Sequence, residues 1–385
     1  MTVETPPATP QPFLDFYGQY GISPVHQDVR NLSAHLRRRR ALYHRLGIPP
    51  TAVRGRRVIE FGPGTGHNAI ATIQDRPALY RLVDGNPASI KATTASLRPH
   101  RDGVDLEVVH ERAEDHQPAG DFDLVIAEGL IPFQLRPKTF ARSLARHVAP
   151  GGILVVTCID AMQYMGEFAR RLIAYTLTDP GMPANERLRI LMPVFGPHLR
   201  GLHGMSRRHD DWILDNLLIP HPGRPFSVAG AVEALSDFDV LGCSPRFHAD
   251  ARWYKTITDE DPGFNVMAVE AYRANVVNLL DCRVNLPPGD LVHGAMLVDM
   301  ARELYDSVMA CESAGRWPEG SDRLVRLVDG ISARLDTESP ITSRSLWELA
   351  KFLERPSFSA AITDLPTFAG FFGRGQAYVS FVKRR

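Results

Sequence analysis

The chain predicts an α/β protein built on a mostly parallel sheet, and three observations carry that expectation. An apolar run, Arg57-Val58-Ile59, passes through the turn Gly62-Pro63-Gly64-Thr65-Gly66 into Ile70-Ala71-Thr72-Ile73, the order strand, tight turn, helix. From residue 56 to 157, strand and helix patterns alternate, as parallel strands joined by crossover helices require. Past residue 157 helical periodicities take over, and the chain ends on a strand alternation at 376–383.

Taken in order, residues 1–11 are rich in Thr and Pro and read as a disordered tail. Residues 12–48 read as an N-terminal helical lid. Its first helix carries an aromatic stripe of Phe13, Phe16, Tyr17 and Tyr20, and its second, at 26–46, carries the basic run Arg37–Arg40, expected on a solvated face. The core unit, 49–178, holds strands expected at 57–61, 79–84, 105–109, 122–127 and 152–157 and a helix at 160–178. Residues 179–226, rich in Pro, Gly, His and Arg, are too long for a plain loop and read as an insertion or lid. Residues 227–250 continue the core with a helix at 227–236 and a strand at 238–247. A helical substrate or cap region follows at 251–370, with helices at 264–281, 289–312, 320–335 and 343–354, and 371–385 supplies the final strand. Two partners fit strand 238–247. Pairing it with 376–383, the arrangement preferred here, makes the helices an insertion into the sheet domain; pairing it with 251–257 makes them an appendage.

Composition bounds the function. Lys plus Arg and Asp plus Glu balance at 44 each, which argues against a large nucleic-acid footprint and for a small-molecule partner. No apolar run reaches the ~18 residues of a membrane span, and residues 1–11 lack the basic start and apolar centre of a secretory signal. A cytoplasmic protein is expected. Cys158, Cys243, Cys282 and Cys311 show no paired spacing and read as reduced packing thiols. Histidines gather at His198, His203, His209, His221 and His248, but no pair has metal-ligand spacing and no metal is expected.

The glycine turn narrows the ligand. Gly62, Gly64 and Gly66 remove side chains where the backbone must bend and approach a ligand. The pattern lacks the third glycine of G-x-G-x-x-G and the Gly-Lys-Ser/Thr of a phosphate-cradling loop. Glu60, just ahead of the glycines, would repel a phosphate and suits a cation or an amino group. Asp84 ends the next apolar strand, about 20 positions on, where an acidic side chain commonly takes ribose hydroxyls. A ribose-bearing, cationic, phosphate-free ligand follows, and S-adenosylmethionine fits it.

On these residues the chain resembles the class I S-adenosylmethionine-dependent methyltransferases. Val58-Ile59-Glu60-Phe61-Gly62-Pro63-Gly64-Thr65-Gly66 is similar to their first motif, Asp84 to the acidic end of their second strand, and Arg112-Ala113-Glu114-Asp115 to the segment beside the adenine. Phe122 to Gly129 resembles their fourth strand, and Val148-Ala149-Pro150-Gly151-Gly152 with Ile153 to Val156 their Pro-Gly-Gly turn and fifth strand. The likeness spans residues 56 to about 160. It implies a Rossmann-like sheet whose last strand is antiparallel, and S-adenosylmethionine as cofactor. It also implies roles: Glu60 with the Gly62 backbone for the amino group, Asp84 for the ribose, the Ala113 backbone and Glu114 for the adenine, and Tyr20 from a closing N-terminal helix.

Glu128 departs from the pattern. The segment Glu128-Gly129-Leu130-Ile131-Pro132-Phe133-Gln134 replaces the Asp/Asn-Pro-Pro-aromatic motif of exocyclic-amine methylases. Glu128 would either orient a substrate amine and accept its proton, or hydrogen-bond backbone or the cofactor amine. His203 and His209 are the other candidate bases, and Trp212, Trp253, Tyr254 and Phe133 candidates for an aromatic substrate pocket. The expected function is methyl transfer to a small-molecule N or O nucleophile by in-line displacement. Two alternatives stand beside it: aminocarboxypropyl transfer or cyclisation to azetidine-2-carboxylate with release of methylthioadenosine, and a non-catalytic cofactor-binding scaffold.

Overall fold

The computed structural model describes residues 12–20, 27, 29–117, 121–205, 207–221, 223–247, 250–258, 260–315 and 322–385. The expected tail 1–11, His248 and the Tyr20 side chain lie outside the described residues.

Two helices, α1 (Pro12–Tyr20) and α2 (Leu32–Arg45), precede the sheet. The alternating region follows as β1 (Arg57–Phe61), α3 (Ala69–Gln74), β2 (Leu79–Asp84), α4 (Pro87–Leu97), β3 (Asp105–His110), β4 (Phe122–Ala127), α5 (Pro137–Ala145) and β5 (Val148–Cys158). Then come α6 (Met165–Leu177), α7 (Ala184–Gly201), α8 (His209–Ile213), α9 (Val228–Ala234) and β6 (Phe238–Ser244). The helices α10 (Phe264–Ala274), α11 (Val276–Leu280), α12 (Leu291–Ala314), α13 (Asp322–Leu335), α14 (Pro340–Glu354) and α15 (Phe358–Thr363) lead to β7 (Ala377–Lys383).

The strands form one seven-stranded sheet in the order β3-β2-β1-β4-β5-β7-β6. The first five run parallel; β7 is antiparallel to both β5 and β6, with Cys158 opposite Ala377 and Ser244 opposite Tyr378. The pairing of 238–247 with the C-terminal strand is therefore the one adopted, and α10 to α15 are inserted between the last two strands.

Central strands β1, β2 and β4 are buried nearly throughout, as parallel strands covered on both faces must be. One face buries Val58, Tyr80, Leu82, Leu124 and Val155 against α2 and α3. The other buries Ile59, Phe61, Val125 and Leu154 in a core that runs without a break into α6, α12 and α14. The inserted helices thus share the sheet's core rather than owning a second one.

Three expectations need correction. The second helix starts at Leu32 rather than 26, where the Asn31 side chain accepts from the Ala34 N–H at 3.0 Å and caps it. Its basic run is not wholly solvated, because Arg39 is buried. Residues 184–201, read only as part of a Pro- and Gly-rich insertion, form a helix with Pro193 and Pro197 inside it. Leu191, Val194, Phe195 and Leu199 make a buried stripe there, and that burial outweighs the hydrogen bonds the prolines remove.

Candidate active site

The glycine turn sits at the C-terminal edge of the parallel strands, where open α/β sheets bind ligands. Gly62, Gly64 and Gly66 have φ of 67°, 58° and 75°, the left-handed region that side chains disfavour. At Gly66 a Cβ would come within 2.9 Å of the Thr93 Cα, so the turn is also pressed against α4. Backbone bonds fix it: the Gly62 N–H donates to Val83 O at 2.9 Å, and the Thr93 hydroxyl donates to Gly64 O at 2.9 Å.

Asp84 locks the turn to β2. Its Oδ2 accepts from the Gly64 N–H at 3.2 Å and its Oδ1 from the Asn86 N–H at 2.8 Å. Asn86 in turn caps α4 by accepting from the Ala88 N–H. Burial raises the Asp84 pKa, and the Asn86 and Gly64 N–H groups pull it back. Each oxygen keeps acceptor capacity for a hydroxyl. Gly85, next in line, lies under α1: a Cβ there would meet Leu14 Cδ1 at 3.0 Å and Arg112 Cγ at 3.4 Å. Ala113 is half-buried, whereas Glu114 is exposed with Arg112 Nε 3.9 Å away.

A second cluster lies on the α2 face. Tyr80 donates its hydroxyl to Glu60 Oε2, and Oε1 of Glu60 has no partner among the described residues. Glu128, at the end of β4, accepts two hydrogen bonds from Arg39, at 2.8 and 2.7 Å, and one from Tyr43 at 3.0 Å. Burial pushes Glu60 up to about 7, the Glu128 charge adds to the rise, and Tyr80 and Arg39 oppose it. Burial works against the Arg39 charge, but Glu128 and Tyr43 more than offset it and hold its pKa above the usual arginine range. The structure thus gives Glu128 a buried cationic partner from α2.

Among the described residues no hydrogen bond joins the histidine candidates to this edge. His203 is exposed just beyond α7, and His209 is half-buried at the start of α8. Neither do the four aromatic candidates share a pocket: Trp253 and Tyr254 are exposed, Trp212 meets Phe372 edge-on, and Phe133 stacks on His221 at 4.1 Å. Tyr17 reaches from α1 to Asp215, donating to Oδ1 at 2.6 Å, so α1 bridges the β2 end and the segment after α8. No group of metal-ligating side chains occurs among the described residues, and no helix there is long and apolar enough to cross a membrane.

Sequence reading missed Arg39, Tyr43 and Tyr80. The signal for the first two was present, since Leu32, Leu36, Arg39 and Tyr43 recur at helical spacing on one face of α2.

Residues 31–198 match the model of a methyltransferase domain family. Among curated proteins none matches the chain. Solved structures that match include an S-adenosylmethionine-dependent methyltransferase from Mesorhizobium loti, 16% identical over 34% of this chain and 55% of that one, TM-score 0.27. The N-methyltransferase NodS from Bradyrhizobium japonicum, in complex with S-adenosyl-L-homocysteine, is 15% identical over 34% of this chain and 62% of that one, TM-score 0.27. The [4+2]-cyclase SpnF is 13% identical over 97% of this chain and 94% of that one, TM-score 0.39. The chain spans about half the length of the first solved structures it matches. Residues 31–198 thus match a methyltransferase domain family, and the sheet order with its antiparallel seventh strand and the glycine turn at its C-terminal edge are those of a Rossmann-like methyltransferase fold.

Proposed function

We propose that this chain transfers a methyl group from S-adenosylmethionine to an N or O nucleophile of a small molecule. The observation that carries the reading is the buried Asp84 carboxylate, tied to the Gly64 and Asn86 N–H groups at the mouth of a turn with three left-handed glycines. That arrangement fits a ribose: two oxygens already oriented, each with capacity to accept a hydroxyl, beside backbone free of side chains. Oε1 of Glu60 fits the amino group of the methionine part, since Tyr80 occupies only Oε2. The half-buried Ala113 backbone and the exposed Glu114 flank the adenine side, and α1 covers it through Leu14.

When bound, the cofactor supplies a methyl group on a sulfonium that is already a good leaving group. This chain's residues then need mainly to hold the nucleophile in line, and well-oriented geometry is worth roughly 7–11 kcal/mol. Glu128 serves that end indirectly. Bound by Arg39 and Tyr43, it holds α2 against the β4 end, and the role of a free base is given up. His203 and His209 are likewise not assigned as bases, one being exposed and neither hydrogen-bonded to the edge. Small-molecule recognition agrees with the balanced charge of the chain.

Calorimetric titration with S-adenosylhomocysteine, followed by identification of the nucleoside product formed from S-adenosylmethionine, tests the reading. Release of S-adenosylhomocysteine is expected. Methylthioadenosine as the product would replace methyl transfer with aminocarboxypropyl transfer or cyclisation, and binding without any product would leave a non-catalytic cofactor-binding scaffold.

A further inference from the structure

The C-terminal edge of the sheet continues past the cofactor residues to β5 and β7, and two buried oxygens there have no partner among the described residues. Asp160 follows β5 by two residues and is 3% exposed. Its Oδ1 accepts from the Gln163 N–H at 3.0 Å while the Gln163 side chain accepts from the Asp160 N–H at 3.3 Å, a reciprocal pair that closes the turn ahead of α6. Oδ2 is buried and accepts no hydrogen bond from the described residues. The second oxygen is Oε1 of Gln376, the residue before β7, likewise buried and unpartnered.

The two belong to one neighbourhood. Gln163 donates its side-chain amide to Gly375 O at 3.1 Å, linking the Asp160 turn to the residue adjoining Gln376. The Gln376 amide faces the β4 end, where a Cβ on Gly129 would be 3.9 Å from it. Gly129 itself donates to the Thr157 hydroxyl at 2.8 Å, tying the β4 and β5 ends together. Tyr272 reaches in from α10, its hydroxyl 3.4 Å from Gln163 Oε1. Gln376 therefore stands beside the residue next to Glu128, along the edge that holds the glycine turn.

We propose that Asp160 and Gln376 form the acceptor-recognition site, with Asp160 Oδ2 and Gln376 Oε1 receiving the N–H groups of a protonatable amine. The inference rests on the methyltransferase reading and adds the substrate class to it. A buried carboxylate oxygen without a donor is costly, and a cationic amine is the ligand that repays it best, by charge and by hydrogen bonds together. A carboxylate or phosphate substrate would meet the Asp160 charge, with the Gln376 amide N–H as its main compensation. Asp160 is held up to about 6 by burial, with the Gln163 and Met162 N–H groups opposing, so at neutral pH it is mostly the anion an ammonium needs. Tyr272 and the buried Cys158 and Met162 give the surroundings an otherwise largely apolar character.

The test uses the full chain saturated with S-adenosylhomocysteine, probed by ligand-observed NMR with benzylamine, benzyl alcohol and benzoate. Benzylamine should bind best and benzoate not at all. Asp160→Asn keeps the oxygen that accepts from Gln163 and replaces only the unpaired one, so it should weaken benzylamine at least tenfold with S-adenosylhomocysteine affinity unchanged and a thermal midpoint no lower than wild type, since a buried charge is removed. Gln376→Leu should weaken it several-fold. Equal benzylamine binding by wild type and Asp160→Asn, or benzoate binding as well as benzylamine, overturns the proposal. Failure to bind S-adenosylhomocysteine overturns the methyltransferase reading instead, and the benzylamine comparison then still decides the amine site by itself.

Discussion

Arg39 of α2 closes on Glu128 at the end of β4 with two hydrogen bonds, at 2.8 and 2.7 Å, and both side chains are more than nine-tenths buried. The pair joins a helix from the N-terminal segment to the strand edge that carries the glycine turn. A buried pair is weak evidence of net stabilisation, because two charges have lost water; removing one partner is costly, because the other stays buried and unpaired. Glu128→Gln or Arg39→Met should each cost about 3–5 kcal/mol in urea unfolding. The double variant Arg39→Met/Glu128→Leu should recover a large part of that loss. Single-variant costs that simply add in the double variant would show that the two side chains do not act as a pair.

Glu60 makes stability depend on pH. Its carboxyl sits near 7 in the fold against an ordinary 4.5, through burial first and the Glu128 charge second. A group whose pKa is raised by folding contributes stability that is full below its unfolded pKa and is lost as pH rises through the folded one. The loss should run from about pH 4.5 to 7 and reach about 3 kcal/mol. Glu60→Gln removes the titration, so its stability relative to wild type should rise between pH 5 and pH 8. A difference that stays constant across those two pH values would place the Glu60 pKa near its ordinary value.

The glycines of the turn are not equivalent. Both Gly62 and Gly66 are left-handed, and alanine at either should cost roughly 1–2 kcal/mol for the backbone alone. A Cβ at Gly62 would meet the movable Leu130 Cδ1 at 3.1 Å, whereas at Gly66 it meets the Thr93 Cα, fixed within α4, at 2.9 Å. Thermal unfolding should therefore rank Gly66→Ala below Gly62→Ala, and matching midpoints would mean that α4 yields to the extra methyl.

The strands, the glycine turn and Asp84 were legible because each has a local cause. Residues 79–84 are an apolar run ended by an acid, and 57–66 are strand and turn within ten residues. The Arg39–Glu128 pair was not legible, because its partners are 89 positions apart and only the fold brings them together. Residues 184–201 were misread because Pro193 and Pro197 weigh against a helix locally, while the burial that stabilises it is tertiary. Asp160 did leave a signal, the Asp-x-x-Gln spacing directly after β5, but that spacing announces a closed turn and not the unpaired oxygen beyond it.

Asp84 is the most direct handle on the cofactor. Its two oxygens hold the Gly64 and Asn86 N–H groups, so the side chain both shapes the turn and faces the proposed ribose. These roles separate by substitution. Asp84→Asn keeps one carbonyl oxygen but replaces the other acceptor with a donor, aimed at the Gly64 N–H or at a ribose hydroxyl. Hydrogen bonds to a charged group are worth roughly 1.5–3 kcal/mol, so S-adenosylhomocysteine affinity should fall about 10- to 100-fold by calorimetry. Adenosine, which keeps the ribose but lacks the amino acid part, should lose a similar factor if the contact is to the ribose. Glu60→Gln should leave adenosine binding nearly unchanged while weakening S-adenosylhomocysteine. Adenosine affinity that survives Asp84→Asn intact would move the ribose away from Asp84 and leave that carboxylate as a brace for the glycine turn alone.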